Sequence, residues 1–197
     1  MIVDLDELGP GGVKSHPGVR LVPASEAGPH GLKAARARQE IDPGRRGKGY
    51  VFGALQEATG ATLTASYGRR TAVNWVDFLE RADAWIAPEV ERVYASVDNL
   101  SARRASDVLL FSLAHPRWEF VFQPTYAAYL NLIECRWKIL RSLALKGRRF
   151  QTWAEVEQAV AEATAYWNAH KHPFTWGRRR RHHPHRRAGL ALLPRAA

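Results

Sequence analysis

The first residues of the chain alternate between apolar and polar positions. This period of two predicts a short β-strand at residues 1–6, with Asp4 and Asp6 on the face opposite Val3 and Leu5. The next stretch, residues 7–49, is rich in turn-forming residues, since nine of the fifteen glycines and five of the eleven prolines lie in it. Long regular elements are not expected there. We predict loops over this stretch, with one short strand at residues 19–22.

Two apolar segments with strand character follow at residues 50–56 and 61–67, and Gly60 lies in the short connection between them. Because glycine tolerates a positive φ, this arrangement predicts an antiparallel hairpin. Residues 71–86 instead show helical spacing, with Thr71 as N-cap and Pro88 beyond the end. The apolar positions at this spacing are Val73, Val76, Leu79 and Ala82.

Strands and helices alternate in the second half of the chain. We predict strands at residues 91–98 and 118–122, and helices at about 102–114, 130–143 and 152–170. Strands joined by helices pair in parallel through right-handed crossovers, whereas the hairpin strands are antiparallel. The order β-β-β-α-β-α-β-α-α therefore predicts an α/β fold, a mixed sheet with helices on both faces.

The net charge of +10 is unevenly distributed along the 197 residues. After Thr164 there are eight Lys and Arg residues and no Asp or Glu. Such a segment binds polyanions by displacing counterions from phosphates, so nucleic acid is the expected partner. The alternative is a solvated basic tail without a target. We predict one main domain, residues 1–170, and a basic C-terminal tail, residues 171–197.

The number of cysteines and the length of the apolar runs indicate the cellular compartment of the protein. Cys135 is the only cysteine, so neither an internal disulfide nor a cysteine-rich zinc site can form, and a reducing cytoplasm is expected. No apolar run reaches the ~18 residues of a membrane span, and the first residues lack the pattern of a signal peptide. We therefore expect a cytoplasmic protein without a membrane partner.

Three carboxylates stand at positions that suit catalysis. Asp6 and Asp98 end two predicted strands, and Glu134 borders the apolar stripe of its predicted helix. If the first strand pairs in parallel with the strand of Asp98, both aspartates reach the edge of the sheet where ligands usually bind. Three clustered acids suit two Mg²⁺ or Mn²⁺ ions, which clamp the attacking and leaving oxygens of a phosphoryl transfer. The stripe consists of Leu130, Ile133, Trp137 and Leu140.

Each of these acids also has an ordinary structural explanation. Asp98 could cap the helix that follows it, and Glu134 could pair with Lys138 four residues along the same helix. Asp4 and Glu7 lie close to Asp6 in the sequence and are alternative candidates for the first acid. Only the combination of the three acids favours a metal site.

The motifs around the three acids resemble those of DDE-type transposases, the DDE superfamily endonucleases of bacterial insertion sequences related to the mariner group. The resemblance spans nearly the whole chain, and the 35 residues between Asp98 and Glu134 are close to the family spacing. The matching motifs are Asp6-Glu7-Leu8-Gly9-Pro10, Asp98-Asn99, and the set Tyr126, Leu130, Asn131, Ile133, Glu134 and Trp137.

The resemblance implies a ribonuclease-H-like fold and a requirement for Mg²⁺ or Mn²⁺. It implies cleavage of transposon ends and strand transfer into target DNA by water or a 3′-hydroxyl, with Asp6, Asp98 and Glu134 as the catalytic and metal-binding residues. Paired ends commonly imply two subunits, a homodimer, but no residue marks the interface. As DNA-binding residues we predict Arg45, Arg46, Lys48, Arg103, Arg178, Arg179, Arg180 and Arg181.

The chain also departs from the family pattern. Arg103 stands where the family often has a histidine, and Ala128 replaces a common proline. Family members usually carry a helix-turn-helix ahead of the first acid, whereas here only five residues precede Asp6. We therefore expect a truncated transposase with weak, non-specific affinity for DNA. Two alternatives stay open: an inactive DNA-binding remnant, and another ribonuclease-H-like nuclease that acts on RNA–DNA hybrids or branched DNA.

Overall fold

The computed structural model describes residues 1–18, 46–98, 105–124 and 131–173, so the strand predicted at residues 19–22 lies outside the described residues. The described residues contain five strands, which form one sheet with the order β3-β2-β1-β4-β5. The strand β1 pairs antiparallel with β2 and parallel with β4, while β2 pairs antiparallel with β3 and β4 pairs parallel with β5. This confirms the predicted mixed sheet. The strands are β1 (Ile2–Gly12), β2 (Lys48–Gln56), β3 (Thr62–Tyr67), β4 (Val93–Val97) and β5 (Trp118–Phe122).

Among the described residues, four α-helices accompany the sheet, and the N-cap predicted at Thr71 is confirmed. The side chain of Thr71 accepts a hydrogen bond from the backbone of Asn74, and that of Thr152 accepts one from Glu155. In the described part of the chain, none of the helices has the length and apolar character that a membrane crossing requires. The helices are α1 (Ala72–Trp85), α2 (Ala105–Ala114), α3 (Ile133–Leu140) and α4 (Trp153–Ala169), and a π-helical turn (Arg141–Leu145) continues α3.

The alternation of β1 assigns its residues to two separate cores. Val3 and Leu5 pack with side chains of α1 and α2 on one face of the sheet. Leu8 packs with side chains of α3 and α4 on the other face. Helices therefore cover both faces, as predicted. Asp4 and Asp6 belong to the face of α3 and α4, because they alternate with Val3 and Leu5.

The first strand is longer than predicted, which corrects the expectation of loops from residue 7 onward. Pairing with β2 is irregular between Leu8 and Gly11, where a cis peptide bond joins Gly9 and Pro10, and it resumes at Gly11 and Gly12. Backbone pairing needs no side-chain pattern, so a segment of glycine and proline can extend a strand without the alternation that reveals one.

The buried face of α1 also differs from the predicted stripe. Val73 is 77% exposed, whereas Trp75 and Phe78 are buried with Leu79 and Ala82. Both aromatic rings contact Phe52 of β2, at centroid separations of 5.6 Å and 5.8 Å. Packing of these large rings rotates the helix relative to the face that aliphatic spacing alone indicates.

Candidate active site

The register between β1 and β4 determines the relative positions of the two aspartates. Asp4 pairs with Ser96 in the parallel ladder, β4 ends at Val97, and Asp98 follows immediately. The same register, continued by two residues, sets Asp98 at the level of Asp6 and on the same face of the sheet. Both acids thus lie where the parallel pairing ends, the edge at which ligands bind in such sheets.

Asp6 is held by the helix that carries Glu134. The indole Nε1 of Trp137 donates a hydrogen bond of 2.8 Å to Oδ2 of Asp6. Burial raises the pKa of Asp6 to about 7; the bonds from Trp137 and from the backbone of Glu7 oppose this shift, and the negative charge of Glu134 adds to it. The negative charge of Glu134 therefore acts on the carboxyl of Asp6.

Glu134 itself lies in the first turn of α3 and is exposed. The start of this helix is fixed by Asn131, a buried residue whose Nδ2 donates to the carbonyl oxygen of Leu5 at 3.3 Å and whose own carbonyl accepts from the backbone of Glu134 at 3.1 Å. Trp137 packs directly on Gly53 of β2, where a Cβ atom would collide with the indole ring. A glycine at position 53 is thus what lets α3 lie on the sheet.

The other two acids of β1 have different surroundings. Asp4 is 1% exposed, and burial together with the charge of Glu57 raises the pKa of its carboxyl to about 7. Glu7 is ion-paired with Arg70 at 2.5 Å. Among the three acids of this strand, Asp6 is therefore the one whose carboxylate interacts with Glu134.

Gln123, which the sequence did not mark as functional, fixes the end of β4. Its backbone N–H donates to the carbonyl of Val97 at 2.9 Å, and its Nε2 donates to Oγ of Ser96 at 2.8 Å. These bonds hold the residues directly before Asp98, which is half-buried. A glutamine immediately after the apolar strand β5 is a weak sequence signal, because polar residues commonly follow strands.

The described acids do not form a compact group of metal ligands. Within residues 1–18, 46–98, 105–124 and 131–173, no three His, Cys, Asp or Glu side chains lie close enough together to hold a metal. The donor set nevertheless fits a hard divalent cation, which prefers carboxylate oxygens. Burial and neighbouring negative charge raise the pKa values of Asp4 and Asp6, and Oδ2 of Asp4 is buried without a hydrogen-bond partner. A cation at this face would lower these pKa values and give Oδ2 of Asp4 a partner.

Two of the predicted DNA-binding residues can be located. Nη1 of Arg46 donates to the carbonyl of Phe150 at 3.3 Å, and Lys48 lies exposed opposite Gly12 at the start of β2. Gly12 is six residues beyond Asp6 along β1, which corresponds to about 20 Å. Outside the described residues lie Arg45, Arg103, Arg178, Arg179, Arg180 and Arg181.

A buried arginine on α3 escaped the sequence analysis. Arg136 is 3% exposed, its Nε donates to Oγ1 of Thr62 at 3.1 Å, and its guanidinium lies 3.7 Å from the ring centroid of Trp167. Burial lowers its pKa to about 10. The ring of Trp167 thus stacks on a side chain of its own fold. An arginine beside a buried tryptophan carries no sequence signal of this role.

Comparison with known proteins agrees with this geometry. The family model described as DDE superfamily endonuclease matches residues 18–157, more than half of the chain. The chain belongs to this family. The matched residues include Asp98 and Glu134 but begin after β1, so the assignment of Asp6 depends on its register and on its contact with Trp137. No curated protein matches the chain.

Two solved structures show the fold of this DDE superfamily endonuclease chain. The Mos1 mariner paired end complex with Mn has a TM-score of 0.50 and 18% identity, over 84% of this chain and 53% of that one. The Mos1 strand transfer complex has a TM-score of 0.51 and 15% identity, over 84% and 52%. The chain therefore has the ribonuclease-H-like fold of DDE transposases and spans about half the length of these proteins.

Proposed function

We propose that this chain is the catalytic domain of a transposase that cleaves DNA and transfers strands in a metal-dependent reaction. Membership of the DDE superfamily endonuclease family supports nuclease chemistry. The observation that carries the proposal is the hydrogen bond from Trp137, on the helix of Glu134, to the carboxylate of Asp6. The parallel register of β1 with β4, continued by two residues, supports it because it sets Asp98 at the level of Asp6.

Each acid has a distinct role in this proposal. Asp6 belongs to β1 and Asp98 follows β4, and both would hold the metal ions together with Glu134 of α3. Trp137 would position Asp6 through its hydrogen bond. Two Mg²⁺ or Mn²⁺ ions, when bound, would stabilise the attacking and leaving oxygens of the phosphodiester. Because burial raises the pKa of Asp6 to about 7, its carboxyl is partly protonated near neutral pH, and a bound cation would favour the charged form.

Two observations support DNA as the substrate: the positive net charge of the chain and the kind of complexes that share its fold. The chain carries a net charge of +10, and the structures with a similar fold are a paired end complex and a strand transfer complex of Mos1. We assign the chain to a bacterial insertion sequence related to the mariner group on its sequence motifs. Affinity that comes from basic side chains contacting phosphates carries no sequence information. This polypeptide should therefore bind DNA with little preference for sequence.

A nicking and strand-transfer assay on supercoiled plasmid with Mn²⁺ tests this function. The purified chain should produce nicked circles and strand-transfer products, and EDTA should abolish both. Asp98→Ala should lose them, because it removes one of the acids that hold the ions. The matched control Asp77→Ala removes an exposed aspartate of α1, on the other face of the sheet, and should retain activity.

The other outcomes are equally informative. Equal products from the wild type and Asp98→Ala, with both folded by circular dichroism, would contradict the proposed site. No product from either protein, with DNA still bound, would indicate a catalytically inactive remnant. Metal-dependent cleavage of branched DNA or RNA–DNA hybrids without strand transfer would indicate another ribonuclease-H-like nuclease.

A further inference from the structure

A cavity of about 570 Å³ lies beside the candidate active site, between the far end of β1 and the helices α3 and α4. Its volume is within the range of small-molecule sites in proteins. One wall is the glycine-rich end of β1, and the opposite wall is the π-helical turn, with Arg141, Ser142 and Leu145. Turns of π-helix are frequent at functional sites because they change the direction of the side chains around them.

The rim of this cavity is positively charged. Lys14, Lys138, Arg141 and Lys146 line it, and the described lining residues include no Asp or Glu. His16 also lines it, but burial lowers the pKa of its ring, so the imidazole adds little charge near neutral pH. Four cations without a balancing acid favour an anionic occupant.

The inner part of the cavity is apolar and partly aromatic. Leu8 and Val51 of the sheet, together with Trp153, Val156 and Val160 of α4, form it. The indole of Trp153 lies over Gly49, where any Cβ would collide with it. The occupant that matches a basic rim and an apolar, aromatic interior is anionic at one end and flat and apolar at the other, which describes a nucleotide.

The near end of the cavity lies close to Asp6, whereas Gly12 and Lys14 line its far end. Leu8 is two residues from Asp6 on the same face of β1. Lys138 is one helical turn from Glu134 and Arg141 is nearly two turns away, so a short stripe along α3 leads from the third acid to the cavity rim.

We propose that this cavity receives an unstacked nucleotide of the DNA strand, next to the phosphate that is cleaved, with its phosphate at the basic rim and its base against Trp153. The assignment of that phosphate rests on the proposed function. Bases that remain paired and stacked in a duplex cannot present a face to an aromatic wall. The chain therefore binds DNA with an unpaired nucleotide more tightly than fully paired DNA.

Fluorescence anisotropy in EDTA, which removes the divalent ions that the proposed cleavage requires, measures this preference. The probes are one fluorescent duplex with an unpaired overhang and the same duplex with blunt ends. The wild type should favour the overhang about tenfold, the effect of one stacked base. The double variant Arg141→Ala/Lys146→Ala should lose most of this preference, and the slope of log affinity against log salt should fall by about two.

A matched control removes two cations elsewhere. Arg81 and Arg92 are exposed, and Arg81 belongs to α1 on the opposite face of the sheet. Arg81→Ala/Arg92→Ala should keep the preference for the overhang. If the rim variant weakens overhang and blunt DNA equally, as the control does, the proposal is overturned. The proposal is also overturned if a polyglutamate peptide of equal charge displaces the fluorescent overhang duplex as effectively as an oligonucleotide does.

A second measurement does not depend on the folding of variants. An oligonucleotide with 5-iodouracil in the overhang, irradiated on the wild-type chain, should crosslink to the peptide that contains Trp153. A crosslink confined to other peptides would overturn the proposal. Because none of these measurements requires cleavage, a chain that prefers the overhang but never nicks plasmid would retain the cavity assignment while the proposed function fails.

Discussion

The indole of Trp137 donates a hydrogen bond of 2.8 Å to the carboxylate of Asp6. This bond joins the helix of the third acid to the strand of the first, across 131 residues of sequence. Trp137 is also one of the largest fully buried side chains, packed on Gly53 and among the side chains of α3 and α4. One residue therefore both anchors α3 and orients a candidate metal ligand.

Replacing Trp137 with Phe should impair the site more than the fold. The change removes the donor to Asp6, and since that bond lowers the pKa of Asp6, its loss should raise the pKa further. Metal-dependent cleavage should fall at neutral pH and recover partly at higher pH. Stability should decrease by about 1–3 kcal/mol. A pH profile of nicking activity with a urea denaturation curve separates the two effects.

Trp118 provides the matched control for that variant. It is equally buried, and its indole Nε1 donates to Oδ1 of Asp83 at 2.7 Å, but it packs on the face of α1 and α2. Trp118→Phe should cost a similar free energy of unfolding and leave the pH profile unchanged. If the pH profile of activity shifts in both variants, the shift is caused by a general loss of stability and not by the lost contact with Asp6.

Gly53→Ala should displace α3. A Cβ at position 53 would collide with the ring of Trp137 and lie close to Ile133. Overpacking of this kind typically costs about 1–3 kcal/mol. Because the displaced helix carries Glu134, activity should fall more than stability alone explains. Gly68→Ala, which meets no atom within 4 Å, is the control and should change thermal stability and activity little. Equal activity in the two variants would contradict the docking of α3 on β2.

The stability of the chain should depend on pH and metal together. Burial raises the folded pKa values of Asp4 and Asp6 from the ordinary 3.8 to about 7, so the folded state binds protons more tightly than the unfolded state. The stability that this gives is fully present below pH 3.8 and is lost as the pH rises towards about 7. In EDTA, the melting temperature should therefore fall between about pH 4 and pH 7.

Mn²⁺ should reverse this loss at high pH and have little effect at low pH, where the carboxyls are protonated. The double variant Asp4→Asn/Asp6→Asn should flatten the pH dependence in EDTA, because it removes both titrating groups. Thermal melts of the two proteins across the pH range, with and without Mn²⁺, provide the measurement. An identical slope in the variant would show that other groups cause the dependence.

The buried Arg136 should be replaceable by an apolar residue of similar length. Its Nη1 and Nη2 are buried without hydrogen-bond partners, so the charge is poorly compensated. Arg136→Met keeps contact with Trp167 and should leave stability nearly unchanged or raise it. Arg136→Ala loses that packing and should cost about 2–3 kcal/mol. Urea denaturation compares the two, and a larger loss in the Met variant would contradict this ranking.

The elements with a clear period or cap could be predicted from the sequence. The hairpin around Gly60, the helices after Thr71 and Thr152, and the strand Trp118–Phe122 occur where local pattern and turn chemistry placed them. These features depend on neighbours in sequence, which is why pattern reveals them.

Features set by tertiary packing could not be predicted. The extension of β1 through Gly9 and Pro10 depends on pairing with β2, and the exposure of Val73 depends on the rings that pack on Phe52. The sequence indicated Asp6 and Glu134 by motif and strand position, but not the tryptophan bond between their elements. The rim of the cavity consists of residues that are far apart in the chain, so no local sequence pattern predicts it.

Direct binding of Mn²⁺, followed by electron paramagnetic resonance at pH above the raised pKa of Asp6, tests the central claim that Asp6, Asp98 and Glu134 form one metal site. The wild type should bind Mn²⁺, and Asp6→Asn, Asp98→Asn and Glu134→Gln should each weaken binding at least about tenfold, since each removes a ligand. Glu7→Gln, which removes an acid paired with Arg70, should bind like the wild type. Equal binding by all five proteins would contradict the site.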